Sequence, residues 1–280
     1  MREINVNEIS RAVRKLYVEC SYHLPPDIEQ AISEAAAGEP WPVARDILAQ
    51  LKENLAVARQ GVYPICQDTG MCCVYLYIGQ DVHLTGGDLS AAVDQGVREG
   101  QAEGYLRKSM LLDPIERVNS GDNTPALLSC FIVPGEQLRV VVAPKGGGSE
   151  NMCRIAMLPP AAGIEGVHDF VLQTVQNAGA NPCPPLVIGV GVGGNFDHAA
   201  LLSKQALLRP LARRHPLPLY RELEQTLLDD VNKLGVGPQG FGGATTALAV
   251  NIEVLPTHIA CLPVAVSIGC HVTRHAELII

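Results

Sequence analysis

The sequence predicts a single mixed α/β domain over residues 1–280, with residues 1–60 forming a helical N-terminal layer within it. Two observations carry that class. Apolar residues recur at helical spacing through residues 4–60, and beyond them short β-rich apolar runs alternate with amphipathic stretches. A third is compositional: 47 % hydrophobic and 18 % charged residues suit a substantial core and not a disordered chain.

The elements follow in order. Asn7 is read as the cap of a first helix that carries Ile9, Val13, Leu16, Tyr17 and Cys20 on one side. Asp27, after Pro25 and Pro26, leads a second helix with Ile28, Ala31 and Ile32, and Pro42 opens a third with Ile47, Leu48, Leu51 and Leu55. Gly61 to Gly70 reads as a loop and Met71 to Gly79 as a strand. Asp88 caps a helix running to about Met110. Residues 126–133 and 138–143, separated by Pro-Gly-Glu-Gln, read as strand–turn–strand. Residues 163–178, 196–208 and 217–234 have helical periodicity, and 186–192, 245–255 and 259–268 read as strands. No internal repeat or low-complexity linker divides the chain.

The bulk properties exclude several classes. A net charge of −8 without a basic stripe argues against nucleic-acid binding. No run reaches the roughly 18 apolar residues of a spanning helix, so no membrane partner is expected. The N-terminal octapeptide carries charges where a secretory leader needs its apolar core. Nine cysteines without a CxxC pair read as reduced thiols of a cytoplasmic protein.

Three of those cysteines stand out. Cys66 lies in Pro-Ile-Cys-Gln-Asp-Thr-Gly, Cys183 in Asn-Pro-Cys-Pro-Pro and Cys270 in Ser-Ile-Gly-Cys-His. Their separations, 117 residues (66 to 183) and 87 residues (183 to 270), exclude a local zinc knuckle and fit a cluster assembled on folding. Three thiolates on an iron–sulfur cube leave one iron without a protein ligand, able to act as a Lewis acid. Spacing alone favours three ordinary buried cysteines, and it is the sequence around each that reverses this. Cys20, Cys72, Cys73, Cys130, Cys153 and Cys261 are read as structural.

Other motifs admit two readings each. Gly189, Gly191 and Gly194 match GxGxxG after a strand, but no acidic residue follows at the ribose position, so glycines packing a helix on a strand are preferred to a dinucleotide site. Gly235, Gly237 and Gly240 match it after a helix. Lys145 to Asn151, with three successive glycines, offers an anion cradle or a flexible turn. Asn119 to Pro125 is a polar turn. Arg107 is a surface charge or a carboxylate clamp. Asp68 orients Cys66, handles a proton or caps its turn, and His258 is a catalytic or a structural histidine.

Together ICQDTG, GDNTPA, KGGGSEN, the Cys-Pro-Pro segment with its glycine-rich strand and the Cys270 loop resemble the class I fumarate hydratase and L(+)-tartrate dehydratase family of iron–sulfur hydro-lyases, over about residues 10–280. The resemblance implies the fold of that family's α domain and a [4Fe–4S] cluster on Cys66, Cys183 and Cys270. It places Asp68 and His258 as catalytic residues, and Gln67, Arg107 and Gly147 as binding residues for a small dicarboxylate. Some members divide the family's two domains between subunits, and this chain looks like the α subunit. A separate β subunit and an α2β2 assembly are therefore expected. Reversible hydration of fumarate leads, with tartrate dehydration next. The readings from other classes are an NAD(P)-dependent oxidoreductase using Gly189 to Gly194, and an iron–sulfur electron carrier or sensor.

Overall fold

The computed structural model describes residues 1–280, a mixed α/β chain as the sequence predicts, divided into two compact units. The first comprises Met1–Pro25, Asn54–Gly147 and Arg274–Ile280; the second comprises Pro26–Glu53 and Gly148–Thr273. The N-terminal helices are accordingly shared out: α1 (Val6–Tyr22) belongs to the first unit, α2 (Pro26–Gly38) and most of α3 (Pro42–Ala58) to the second.

In the first unit β1 (Arg2–Asn5) leads into α1. The cap of α1 is Asn5, not Asn7. Asn5 Oδ1 accepts from Asn7 N at 2.9 Å, and Glu8 Oε1 accepts from Asn5 N at 3.3 Å, a reciprocal capping box. Ile9, Val13, Leu16, Tyr17 and Cys20 are all buried, so the expected face is the one that packs. Next come β2 (Cys72–Gly79), β3 (Val82–Thr85) and α4 (Leu89–Glu103), which Asp88 caps through a 2.7 Å bond from Ala91 N. Gly96 and Gly100 let α4 lie close on α1, where a methyl at Gly96 would overlap Ser10 O. Then come β4 (Leu127–Val133) and β5 (Leu138–Pro144).

These two strands form where expected but do not pair with each other. β2 lies between them, parallel to β4 and antiparallel to β5, and the last strand of the chain, β10 (Ala276–Ile279), closes the sheet in the order β10-β5-β2-β4. β2 is buried along nearly all its length, and a central position gives every backbone group a partner. β1 and β3 make a separate two-stranded parallel ribbon.

The second unit continues from the short turn α5 (Gly147–Glu150) through β6 (Arg154–Leu158), α6 (Gly163–Ala178), β7 (Leu186–Gly194), α7 (Phe196–Ala206), α8 (Pro218–Lys233), β8 (Ala247–Thr257) and β9 (Leu262–Gly269). Its sheet runs β6-β9-β7-β8, with β7 parallel to β8 and antiparallel to β9. Strand alternation separates the two faces of β7. Ile188, Val190 and Val192 pack with Val167, Val171 and Val175 of α6 and Leu223, Leu227 and Val231 of α8. On the other face Gly189 and Gly191 receive α7, and a methyl on them would overlap Ser203 O and Ala199 O. Those glycines are helix-packing residues, as the missing acidic partner indicated.

A buried ion pair ties α8 to β8 through the segment after α7. Arg209 pairs with Glu224, and its Nη1 also donates to Ile252 O at 2.9 Å and Glu253 Oε1 at 3.0 Å. Ile252 N and His215 N donate to the two Glu224 oxygens, so the buried carboxylate is fully engaged. No helix is long and apolar enough to cross a membrane.

Candidate active site

In the first unit the 64–70 loop is held from several sides. Ile65 N donates to Ser21 O at 2.9 Å, and Asn54 Nδ2 donates to Ile65 O at 2.8 Å. Tyr17 Oη donates to Thr69 O at 2.8 Å. Burial, reinforced by Cys72 nearby, holds the Tyr17 hydroxyl far above its ordinary pKa, so it remains a proton donor. Thr69 Oγ1 and Asn123 Nδ2 both donate to Arg107 O, at 3.1 and 2.8 Å. Asn123, fully buried, also donates to Tyr17 Oη at 3.0 Å and accepts from Ser109 N at 2.6 Å. Its φ of +62° is one that asparagine tolerates. Three motifs far apart in sequence thus share one buried network. The network fixes the Arg107 main chain and leaves its side chain exposed.

The glycine segment joins them. Met71 and Lys145 exchange backbone hydrogen bonds at 2.6 and 2.8 Å, and Gly147 N donates to Asp68 Oδ2 at 2.8 Å. A side chain at Gly146 would press on the same carboxylate, which is why the close approach needs glycine there. Asp68 N in turn points at Cys66 Sγ, 3.4 Å away, and the thiol faces Gln67 Oε1 at 3.5 Å. Cys66, Gln67, Asp68 and Gly147 are therefore linked side by side in one unit. Arg274, which sequence reasoning did not select, donates from Nη2 to Asp68 O.

The second unit brings Cys183 and Cys270 together. β7 and β9 are antiparallel with Val187 opposite Gly269, so the start of one strand lies beside the end of the other. His271 N and His271 Nδ1 lie 3.2 and 3.0 Å from Cys183 O. Cys183 has a φ of +56°, and Gln239, at +53°, holds that loop by donating N and Nε2 to Pro184 O at 2.9 and 2.7 Å. Gln239 and His271 were missed because nothing in their local sequence distinguishes them from turn residues. Beside them a concavity of about 710 Å³ opens between α3 and the 239–241 segment. His258 does not join the pair. It caps its own turn between β8 and β9, accepting from Ala260 N at 3.1 Å, at the end of β9 opposite to Cys270. Eight strand residues span roughly 26 Å.

Within neither unit do three His, Cys, Asp or Glu side chains form a metal-binding group. The proposed set draws Cys66 from the first unit and Cys183 and Cys270 from the second. The donors themselves fit an iron–sulfur cluster: sulfur only, on loops, with a backbone N–H directed at Cys66. Cys20 and Cys72 differ, buried inside the first core.

A family model described as Fumarate hydratase (Fumerase) matches residues 10–279. This chain belongs to that family, and it is a hydro-lyase. Among its relatives, a Methanocaldococcus jannaschii protein named "Putative L(+)-tartrate dehydratase subunit alpha" is 38 % identical over 275 residues, covering 96 % of each chain. The "L(+)-tartrate dehydratase subunit alpha" of Escherichia coli K12 is 32 % identical over 279 residues, covering 98 % of this chain and 91 % of its own.

Proposed function

We propose that this chain is the α subunit of a [4Fe–4S]-dependent hydro-lyase acting on a small dicarboxylate in the cytoplasm. The names of the relatives favour L(+)-tartrate, and the family match favours the fumarate–malate pair. The observation that carries the reading is the buried network joining Thr69, Arg107 and Asn123. It fixes the main chain of three motifs while leaving Gln67 and Arg107 exposed to a ligand.

Removing water from a 2-hydroxy dicarboxylate breaks a C–H bond beside one carboxylate and expels hydroxide from the neighbouring carbon. Cys66, Cys183 and Cys270 would hold the cluster, which supplies a Lewis-acidic iron to polarise the departing hydroxyl. Arg107 binds a substrate carboxylate through its planar fork of donors. Gln67 adds an amide hydrogen bond that orients the substrate. Asp68 holds the Gly147 segment beside the site and takes part in proton transfer from the C–H bond. His258, expected as a second catalytic residue, sits at the other end of β9 from Cys270 in its own unit, and no step is assigned to it here. For tartrate the product is an enol that tautomerises to the 2-oxo acid, a change that is redox-neutral overall.

A separate β subunit completes the enzyme, a reading supported by relatives named as α subunits. The exposed Trp41, Val43 and Phe241 and the glycine-rich 235–243 loop give the second unit an apolar surface near His271 for such a partner. An α2β2 assembly is the expected form.

The test is an anaerobic assay of the reconstituted chain, alone and with its β partner, on L(+)-tartrate, fumarate and mesaconate. Turnover of one dicarboxylate by the complex supports the reading, and iron-independent nucleotide binding without turnover defeats it. In the active complex, Arg107→Ala should raise KM by about a hundredfold, the loss of one charge-assisted bidentate contact, with cluster content unchanged.

A further inference from the structure

Arg274 is an unusual residue in this chain. It is 4 % exposed, yet Nε and Nη1 meet no hydrogen-bonding partner, and Nη2 donates to a main-chain carbonyl, that of Asp68. None of its three nitrogens is hydrogen-bonded to a carboxylate. The buried Arg209 shows the ordinary solution, with Glu224 and Glu253 both on its guanidinium. A guanidinium cannot shed its proton to escape burial, so an unpaired one carries a standing penalty. Its field is felt locally: it opposes the rise in pKa that burial imposes on Tyr17 and Cys20.

The carbonyl it grips belongs to the loop that carries Cys66, Gln67 and Asp68. We propose that Arg274 is a positioning residue that fixes the Asp68 carbonyl and supplies that loop with a positive charge reserved for the anion the loop receives. The inference rests on the hydro-lyase reading for the identity of that anion, a dicarboxylate on a thiolate-bound cluster. It goes beyond that reading in assigning the charge to a buried residue that does not touch the substrate. Burial strengthens such a charge, because low-dielectric surroundings screen it less than water does.

Arg274→Lys keeps the charge and a donor of similar reach, whereas Arg274→Gln is neutral and too short to reach the Asp68 carbonyl. Two readouts are needed. Amide hydrogen exchange at residues 66–70, measured in the iron-free chain, reports the positioning role without any cluster. KM and kcat of the reconstituted complex report the charge. R274Q should speed exchange in the loop and raise KM by about tenfold each, with kcat less affected, whereas R274K should restore KM to within about threefold of wild type. Wild-type exchange and KM in R274Q would overturn the proposal, and so would equal rises in KM in the two variants. If R274Q does not fold, R274K decides: near-normal KM supports the charge role, and a full tenfold loss refutes it. A wild-type complex inactive on every dicarboxylate would sink the hydro-lyase reading instead, and the exchange arm would still decide whether Arg274 holds the loop.

Discussion

Burial divides the cysteines by chemistry. It pushes the Cys20 thiol up to about 12 against the opposing field of Arg274, and raises Cys72 well above its ordinary value. Cys130 and Cys183 are exposed, and Cys66 and Cys270 are half-buried. Alkylation of the iron-free chain at about pH 8, mapped by mass spectrometry, should therefore label Cys130 and Cys183 first and reach Cys20 and Cys72 only after unfolding. Asp122 offers a second residue-scale test. Burial would raise its pKa, but hydrogen bonds from the Thr124 side chain and backbone and from Arg98 outweigh it and hold the carboxyl at about 2. A depressed folded pKa stabilises above the unfolded value, and that stability is lost as pH falls from about 4 to about 2. Urea denaturation should show wild type and Asp122→Asn converging across that window; a constant gap would contradict the assignment. At this scale the sequence singled out Cys66, Asp68 and Gly147 by the motifs they sit in, and folding sets them side by side. It could not reveal Arg274, Gln239 or His271, whose meaning comes from a carbonyl brought near by folding.

Elements read from periodicity fared unevenly, for physical reasons. The face of α1 and the Asp88 cap were legible because they depend on residues three and four apart. The cap of α1 was placed two residues late because Asn5 and Asn7 both satisfy the side-chain preference, and only Glu8 reaching back to Asn5 N decides between them. β1, β3 and β10 are four residues long and take their stability from partners distant in sequence, so local pattern gave no sign of them. The same holds for β4 and β5, whose turn was visible while the insertion of β2 between them was not. Packing of α7 on β7 gives an element-scale prediction. Gly191→Ala pushes a methyl into Ala199 O, backbone that cannot rotate away, and should cost about 1–3 kcal/mol in chemical denaturation. An unchanged midpoint would mean that α7 is not seated on that glycine.

For the molecule as a whole, the division into two units was invisible in sequence because each is assembled from separated segments, with the last seven residues returning to the first unit. Composition shows no seam where segments interleave. The residues proposed for the site divide in the same way: Cys66, Gln67, Asp68, Arg107 and Gly147 belong to one unit, Cys183 and Cys270 to the other. The central claim is that these three cysteines, and not the other six, hold one cluster. Iron and acid-labile sulfide should be measured after anaerobic reconstitution of wild type, of Cys66→Ser, Cys183→Ser and Cys270→Ser, and of Cys153→Ser as a control. Wild type and the control should each carry about four irons and four sulfides per chain, with the spectrum of a cubane cluster, and each of the three variants should lose most of both. Full iron and sulfide in any one of those three, or their loss in Cys153→Ser alone, would contradict the assignment.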